Sequence, residues 1–226
     1  QTKKLWWIGA NINGGPNSHD FYEPRTYGRV FKNKGRINVN LWWESNSAKR
    51  LSWGGSVYAG TGGVFHRKNF DLNLFGKIRF SSKFSIDGSA YISSSRNQSG
   101  FAGKVGPQYD TIISSRRNVN SVENVLNIKY NFTNRMGITL RTRHYWSKVN
   151  PLQFYELDTY GDLKTPATAF TQNVRQNYNY LSVDMVYTWQ FAQGSFFSIV
   201  WKDIGESFNR EFESNYAKNF TRTIDG

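Results

Sequence analysis

Six basic side chains, Lys77, Arg79, Lys129, Arg141, Arg143 and Lys202, recur at the polar positions of alternating apolar–polar repeats, and Asp87, Glu123 and Asp184 occupy the same positions. Two chemistries fit that spacing. Charged rows facing a water-filled passage set its selectivity, here in favour of anions. The same charges can instead pair between neighbouring strands and brace a wall. Catalysis finds less support. The three histidines, His19, His66 and His144, have no metal-ligand spacing to one another, and cysteine is absent, so the sequence offers no zinc site. His19 beside Asp20, with serines nearby, makes a Ser/His/Asp story only in the sense that almost any chain does, and no Gly-x-Ser-x-Gly elbow occurs. Gly14-Gly15-Pro16 lacks the Lys-Ser or Lys-Thr of a phosphate cradle. The reading is therefore a non-enzyme with no cofactor, no metal and no catalytic residue.

The elements that carry these residues follow from period-two alternation, which dominates the chain. Ile37, Val39, Leu41 and Trp43 alternate with Asn38, Asn40, Trp42 and Glu44. Phe70, Leu72, Leu74, Ile78 and Phe80 oppose Asp71, Asn73, Lys77 and Arg79, and Phe84, Ile86, Ala90 and Ile92 oppose Ser85, Asp87, Ser89 and Tyr91. Leu126, Ile128, Tyr130 and Phe132 oppose Glu123, Asn127, Lys129 and Asn131, while Met136, Ile138, Leu140 and Trp146 oppose Arg141, Arg143 and Tyr145. Leu181, Val183, Met185, Tyr187 and Trp189 back onto Ser182, Asp184, Thr188 and Gln190. The runs are about 10–13 residues, against about 5–6 in soluble sheets and about 9–11 for a tilted bilayer crossing. About nine strands are predicted, from Lys3, Arg36, Leu51, Phe70, Phe84, Ser121, Met136, Tyr178 and Phe196. Tight turns at 46–50, 81–83, 133–135 and 192–195 alternate with long connections at 13–35, 62–69, 96–120 and 148–177, provided that Tyr109 to Ser115 belongs to an outer loop.

Composition agrees. The chain of 226 residues carries a net charge of +13, with 17 Phe, 13 Tyr and 8 Trp in a polar average. Mean hydropathy is −0.62. Outer-membrane barrels combine many rings with a polar average because lipid-facing and lumen-facing residues alternate; the rival is a secreted β-sandwich with an aromatic core. No stretch approaches 18 uninterrupted apolar residues, which removes a transmembrane helix. Nucleic acid is disfavoured as a partner, because the rings largely segregate to the apolar sides, away from the basic residues. Loop charge at Lys32, Lys34, Arg36, Arg67, Lys68, Arg116 and Arg117 reads as solvated, and His144, near Trp146, as an interfacial residue. An even strand number is the rule for such barrels, so a count of nine suggests that residues 1–226 are a single barrel domain incomplete at both ends.

Three segments carry a family resemblance: Asp20-Phe21-Tyr22-Glu23-Pro24-Arg25; Ser121 to Tyr130 continuing through Arg143-His144-Tyr145-Trp146-Ser147; and Asp184 to Ala192 with Gly194-Ser195 and Val200-Trp201-Lys202. They resemble the C-terminal β-barrel of a Bacteroidota outer-membrane family of unknown function whose members carry an N-terminal module like carbohydrate-binding family 9. Gln193 stands where that family often has Pro. The resemblance implies the bacterial outer membrane, lipid as a neighbour, other outer-membrane proteins as partners and a glycan as a possible ligand. The fold expected is an all-β antiparallel meander, a transmembrane barrel or a segment of a larger one. The function expected is a pore, or a subunit of a surface assembly handling glycans or other nutrients. A structural or adhesive barrel is the alternative, and a barrel-embedded hydrolase a distant one. Within the wall, a turn centred on Asn134 predicts Glu123 opposite Tyr145 and diagonal to Arg143, with Lys129 diagonal to Arg141, Glu123 partly neutralising the arginines.

Overall fold

The computed structural model describes residues 5–108, 110–167, 170–211, 216, 220 and 221. Nine strands form one antiparallel meander in chain order: β1 (Trp7–Gly15), β4 (Arg36–Glu44), β5 (Leu51–Gly62), β6 (Arg67–Arg79), β7 (Phe84–Val105), β8 (Thr111–Thr133), β9 (Met136–Leu157), β11 (Gln176–Ala192) and β12 (Ser195–Asn209). Two short strands, β2 (Ser18–Asp20) and β3 (Phe31–Asn33), pair with each other, and β10 (Leu163–Pro166) adds to β9. The sheet is not closed: β1 and β12 end the path without pairing to one another. The predicted start of the first strand near Lys3 lies outside the described residues. Among the described residues no helix is long and apolar enough to cross a membrane.

All four tight turns lie at one end of the sheet, as the alternation requires, with 193–194 reduced to two residues. Gly194 takes the left-handed backbone of that turn at φ 74°, so Gln193 faces no special demand.

The opposite end corrects the sequence reading. Two of the four connections predicted to be long are short, 63–66 and 106–110, and the expected outer loop over 96–120 is instead a continuation of β7 and β8. Tyr109 lies outside the described residues, whereas Thr111 to Ser115 open β8. With 22 and 23 residues these strands extend about 70 Å, at about 3.3 Å per residue, twice what a tilted bilayer crossing needs. Alternation failed as a guide there because the ladder is bulged between Ser95 and Gln98 and between Phe101 and Gly103, with Asn97 at φ 56°, and each bulge shifts which face a residue meets.

The buried apolar core sits at this long-strand end. Phe31, Ile112 and Leu157 form one cluster, with Val64, Phe101 and Leu163 against it. Ile113, Ala167 and Phe170 form a second, with Ala102, Val105, Phe154 and Val174 packed on it. Loop 16–35 is held down through Arg29, which donates to the carbonyls of Leu157 and Asp158 (2.8 and 2.9 Å), and through Lys32, 2.6 Å from the Asp162 carboxylate. Asp158 closes the next turn by accepting the amides of Tyr160 and Asp162, each at 2.9 Å. The Asp162 amide above all, and then Tyr160 and Lys164, holds the Asp158 carboxyl below its ordinary range.

Phe31→Ala should cost about 3–5 kcal/mol of local stability. Hydrogen exchange should show it as lost protection at Ile112 and Leu157, with the β4–β5 ladder unchanged. Because the Asp158 pKa is depressed in the fold, its contribution is present above the unfolded-state value of about 3.9 and is lost as pH falls through the folded value. Protection of the Tyr160 and Asp162 amides should therefore drop in acid, and Asp158→Asn should remove that pH dependence.

Candidate functional site

Strand register places every charged candidate on the face opposite the apolar sets. One cross-strand row reads Lys77, Asp87, Asn127, Arg141, Asp184, Lys202 on β6, β7, β8, β9, β11 and β12. Signs alternate along it apart from the amide, and two of the five neighbouring pairs are in contact: Asn127 donates to Asp87 at 2.8 Å and Lys202 lies 4.0 Å from Asp184. Exposed pairs of this kind contribute about 0.2–1 kcal/mol each. Arg79 and Lys129 lie one row nearer the turns. Arg79 is spent there, its guanidinium donating to the carbonyls of Ser47 and Lys49 at 2.8 and 3.0 Å, so it holds the 45–50 turn.

Glu123 and Arg143 take the predicted positions: Glu123 is opposite Tyr145, Val125 is opposite Arg143, and Lys129 is diagonal to Arg141 through the Asn127–Arg141 pair. The predicted neutralisation does not follow. Among the described residues the ion pairs are Lys32–Asp162 and Lys202–Asp184, and Arg143 Nε is buried with no hydrogen-bond partner. Both side chains instead line a recess of about 310 Å³ with Tyr145, Tyr178 and Tyr180. The Tyr145 and Tyr178 rings are 6.1 Å apart at 57°.

That recess belongs to a larger feature that sequence reading missed. The row through Glu123 runs Trp42, Ser56, Asn73, Tyr91, Glu123, Tyr145, Tyr180, Glu206. The next row runs Tyr58, Asp71, Ser93, Ser121, Ser147, Tyr178, Phe208. Rings, carboxylates and small hydroxyls thus cross the whole polar face in one band, with Ser93 bonded to Asp71 at 2.6 Å. At its β1 edge the Trp42 indole lies over Gly9, where a Cβ would collide with it. No strand contributes more than two such rings, and β6 and β8 contribute none, so the band is invisible until the register aligns them. It also corrects the expectation that aromatics segregate to the apolar side. Apolar ring faces beside hydrogen-bonding groups are the surface that sugar rings need, stacking through their C–H faces and bonding through their hydroxyls.

The motif Asp20 to Arg25 reaches the same face from the loop end. Asp20 Oδ1 accepts the amides of Tyr22 and Glu23 at 2.8 and 2.9 Å, a local turn that swings Glu23 onto β7. Glu23 accepts the Phe101 amide at 2.5 Å, and the Arg25 guanidinium lies 4.9 Å above the Phe101 ring. Nearby, burial holds the Arg117 guanidinium below its ordinary pKa; Glu23 opposes this shift and Arg25 adds to it. Loop charge is thus organised: Lys32 is ion-paired, Lys34, Arg36 and Arg67 ring a small hollow, and Arg116 reaches Gln153 at 3.5 Å. Lys68 pairs with Arg96 and Thr61 in the ladder.

The histidines stand apart. His19 lies in β2, and His66 sits at φ 51° in the 63–66 turn. His144 is on the apolar face but only 3% exposed, its Nδ1 2.8 Å from the Tyr216 hydroxyl and its ring 4.8 Å from Phe220, so it is buried by the C-terminal segment. Among the described residues no three His, Asp or Glu side chains converge on a possible metal.

Over residues 1–226 the chain matches the family described as domain of unknown function DUF5916. The chain belongs to that family. No curated protein and no solved structure matches it. Within this DUF5916 chain the three segments that carried the resemblance map to the loop end (Asp20–Arg25), the β8–β9 hairpin, and the β11–β12 pair that ends the sheet.

If the charged row braces the sheet, Arg141→Leu combined with Asp184→Leu should lower the urea midpoint of the detergent-solubilised chain. Glu123→Gln, which breaks no ion pair, should leave that midpoint unchanged.

Proposed function

We propose that this chain is a β-barrel domain of a bacterial outer membrane, with its apolar face on lipid and its polar face on water. On this reading it acts as a pore, or as a subunit of a surface assembly, that handles glycans. The observation that carries the proposal is the exposed apolar face. Ile12, Leu41 and Phe70 are 71, 48 and 48% exposed, and Ile37, Leu74, Ile92 and Leu126 lie on the same side of neighbouring strands. In water so large a continuous patch would be a liability, whereas in a bilayer it is the required surface. A β-sandwich would need a second sheet over it, and the other sheet among the described residues is the two-stranded β2–β3 pair, of three residues per strand, whose Phe31 packs at the long-strand end.

Two further features agree. On the turn side, Phe80, Phe84, Tyr130, Phe132 and Tyr187 touch in succession at 5.1, 6.2, 5.0 and 6.5 Å, an aromatic belt of the kind that sits at a membrane interface. On the polar face from the aromatic band to the turns, Glu44, Asp71, Asp87, Glu123, Asp184 and Glu206 match Lys77, Arg79, Lys129, Arg141, Arg143 and Lys202 in number, so that stretch of the wall is nearly neutral, whereas Arg36 and Arg67 lie on the same face at the loop end.

Membership in an assembly has its own support. Asp203 lies on the apolar side of β12, opposite Val183, and one row away His144 and Asn124 share that side. A carboxylate there is poorly suited to lipid and well suited to another outer-membrane protein.

The purified chain should need detergent or lipid to remain monodisperse; a soluble monomer without either would sink the membrane reading. In planar bilayers it should conduct with little ion selectivity, and neutral oligosaccharides should block the current. Absence of conductance, with or without saccharide, would put the structural or adhesive alternative ahead. Alanine at His19 or His66 should change neither result, and a lost activity would instead favour a hydrolase.

A further inference from the structure

Four guanidinium-bearing residues converge at the loop end of the aromatic band. Arg25, Arg117, Arg175 and Arg210, together with Phe101 and Phe208, line a cavity of about 420 Å³, within the size range of small-ligand sites. They come from loop 16–35, β8, the segment before β11 and the residue that follows β12, so the grouping exists only in the fold. Among the described residues that line it there is no carboxylate. The carboxylate that acts on Arg117 is Glu23, already engaged by the Phe101 amide. Arg117 Nε is buried with no hydrogen-bond partner.

Local packing holds Arg117 in place. It lies flat across Gly100, where a Cβ would fall inside the guanidinium, and the hydroxyls of Ser114 and Ser115 both donate to the Gly100 carbonyl at 3.3 and 3.1 Å. A planar fork fixed in this way suits a planar or tetrahedral oxyanion bound through two parallel hydrogen bonds. The cavity is also continuous with the band, since Phe208 stands directly opposite Tyr178 in the next row.

We propose that this cavity binds the carboxylate or sulfate of an acidic sugar unit, whose chain then runs onto the aromatic band. The proposal rests on the reading of the polar face as the water-filled side. The oxyanion meets the arginines, the sugar ring meets Phe101 and Phe208, and the neutral remainder follows the tyrosines. A small inorganic anion would use only the first of these contacts.

Titration of the full chain in detergent micelles tests this without requiring a pore, so absent conductance would leave it standing. The probes are an oligosaccharide with one terminal uronate, the same chain with one terminal sulfate instead, a neutral oligosaccharide of equal length, and sodium sulfate. One or both acidic sugars should bind at least about tenfold more tightly than the neutral one and than sulfate; the acid that binds identifies the group recognised. Arg117→Gln and, separately, the exposed Arg210→Gln should each weaken acidic-sugar binding about tenfold and leave the neutral sugar unchanged. Gly100→Ala keeps every charge but displaces the guanidinium, and should weaken binding as Arg117→Gln does. Equal affinity for the neutral chain, equal affinity for sulfate alone, or acidic-sugar affinity unaltered in both Arg210→Gln and Gly100→Ala would each overturn the proposal.

Discussion

Side-chain alternation must stay in phase across eight consecutive strand pairs, because a one-residue slip at any of them would move an apolar row to the polar side. The pairings from Trp7–Glu44 to Met185–Trp201 keep that phase. The irregularities lie toward the rims: beyond Ser95 and at Arg116 on the long-strand end, and at Asn131 and Gln190 on the turn end. Bulges at a rim terminate or redirect a ladder, whereas a bulge in the middle would break it into two half-sheets with opposed faces. The unbroken middle gives the charged row and the aromatic band their common face.

Apolar burial contributes differently at the two ends. In the middle of the sheet it contributes little within the chain, because most of the apolar rows are left uncovered, with Tyr216 and Phe220 covering the patch around His144 and Trp146. At the long-strand end Phe31, Ile112 and Ile113 are almost wholly enclosed, and this enclosure fixes loop 16–35 on the tops of β7, β8 and β9. The placement of Glu23 and Arg25 over β7 depends on it. A site assembled from a loop needs such an anchor, since the loop's own backbone bonds are too few to hold it.

Between the turns and Arg96, β4, β6, β7, β8, β9 and β11 were legible because they carry an apolar–polar repeat, and the turns because Asn46, Ser81, Asn134 and Gly194 punctuate it. The continuation of β7 and β8 was not, because every residue from Ser93 to Ser99 is polar, and two bulges then scramble the repeat. Diagonal neighbours in the β8–β9 hairpin were read correctly from the turn centre, since one turn fixes one register. Whether Glu123 would meet Arg143 was not readable, because diagonal positions are about 7–8 Å apart at Cα and long side chains can turn to other neighbours. The aromatic band and the arginine cavity were hidden for the same reason. Both depend on register summed over many strands, or on a loop that returns from far along the chain.

Charge is distributed along the polar face in a way that bears on how a ligand would move there. In the middle, the alternation of Lys77, Asp87, Arg141, Asp184 and Lys202 means that each charge has an opposite one on the adjacent strand, about 5 Å away and inside a Debye length of about 8 Å. Such a row projects little field beyond its own contacts. At the loop end, Arg25, Arg117, Arg175 and Arg210 share one cavity in whose lining the described residues place no carboxylate, with Glu23 acting on Arg117 from beside it, so the described groups there are mainly positive. A strong site along the whole path would trap a ligand, because passage requires binding favourable enough to enter and weak enough to leave. A positive entrance followed by a neutral aromatic track meets both conditions. If the polar face is the water-filled side of a glycan path, as proposed, the positive loop end would raise the rate of capture, while the stacking surface beyond it would let a captured chain slide.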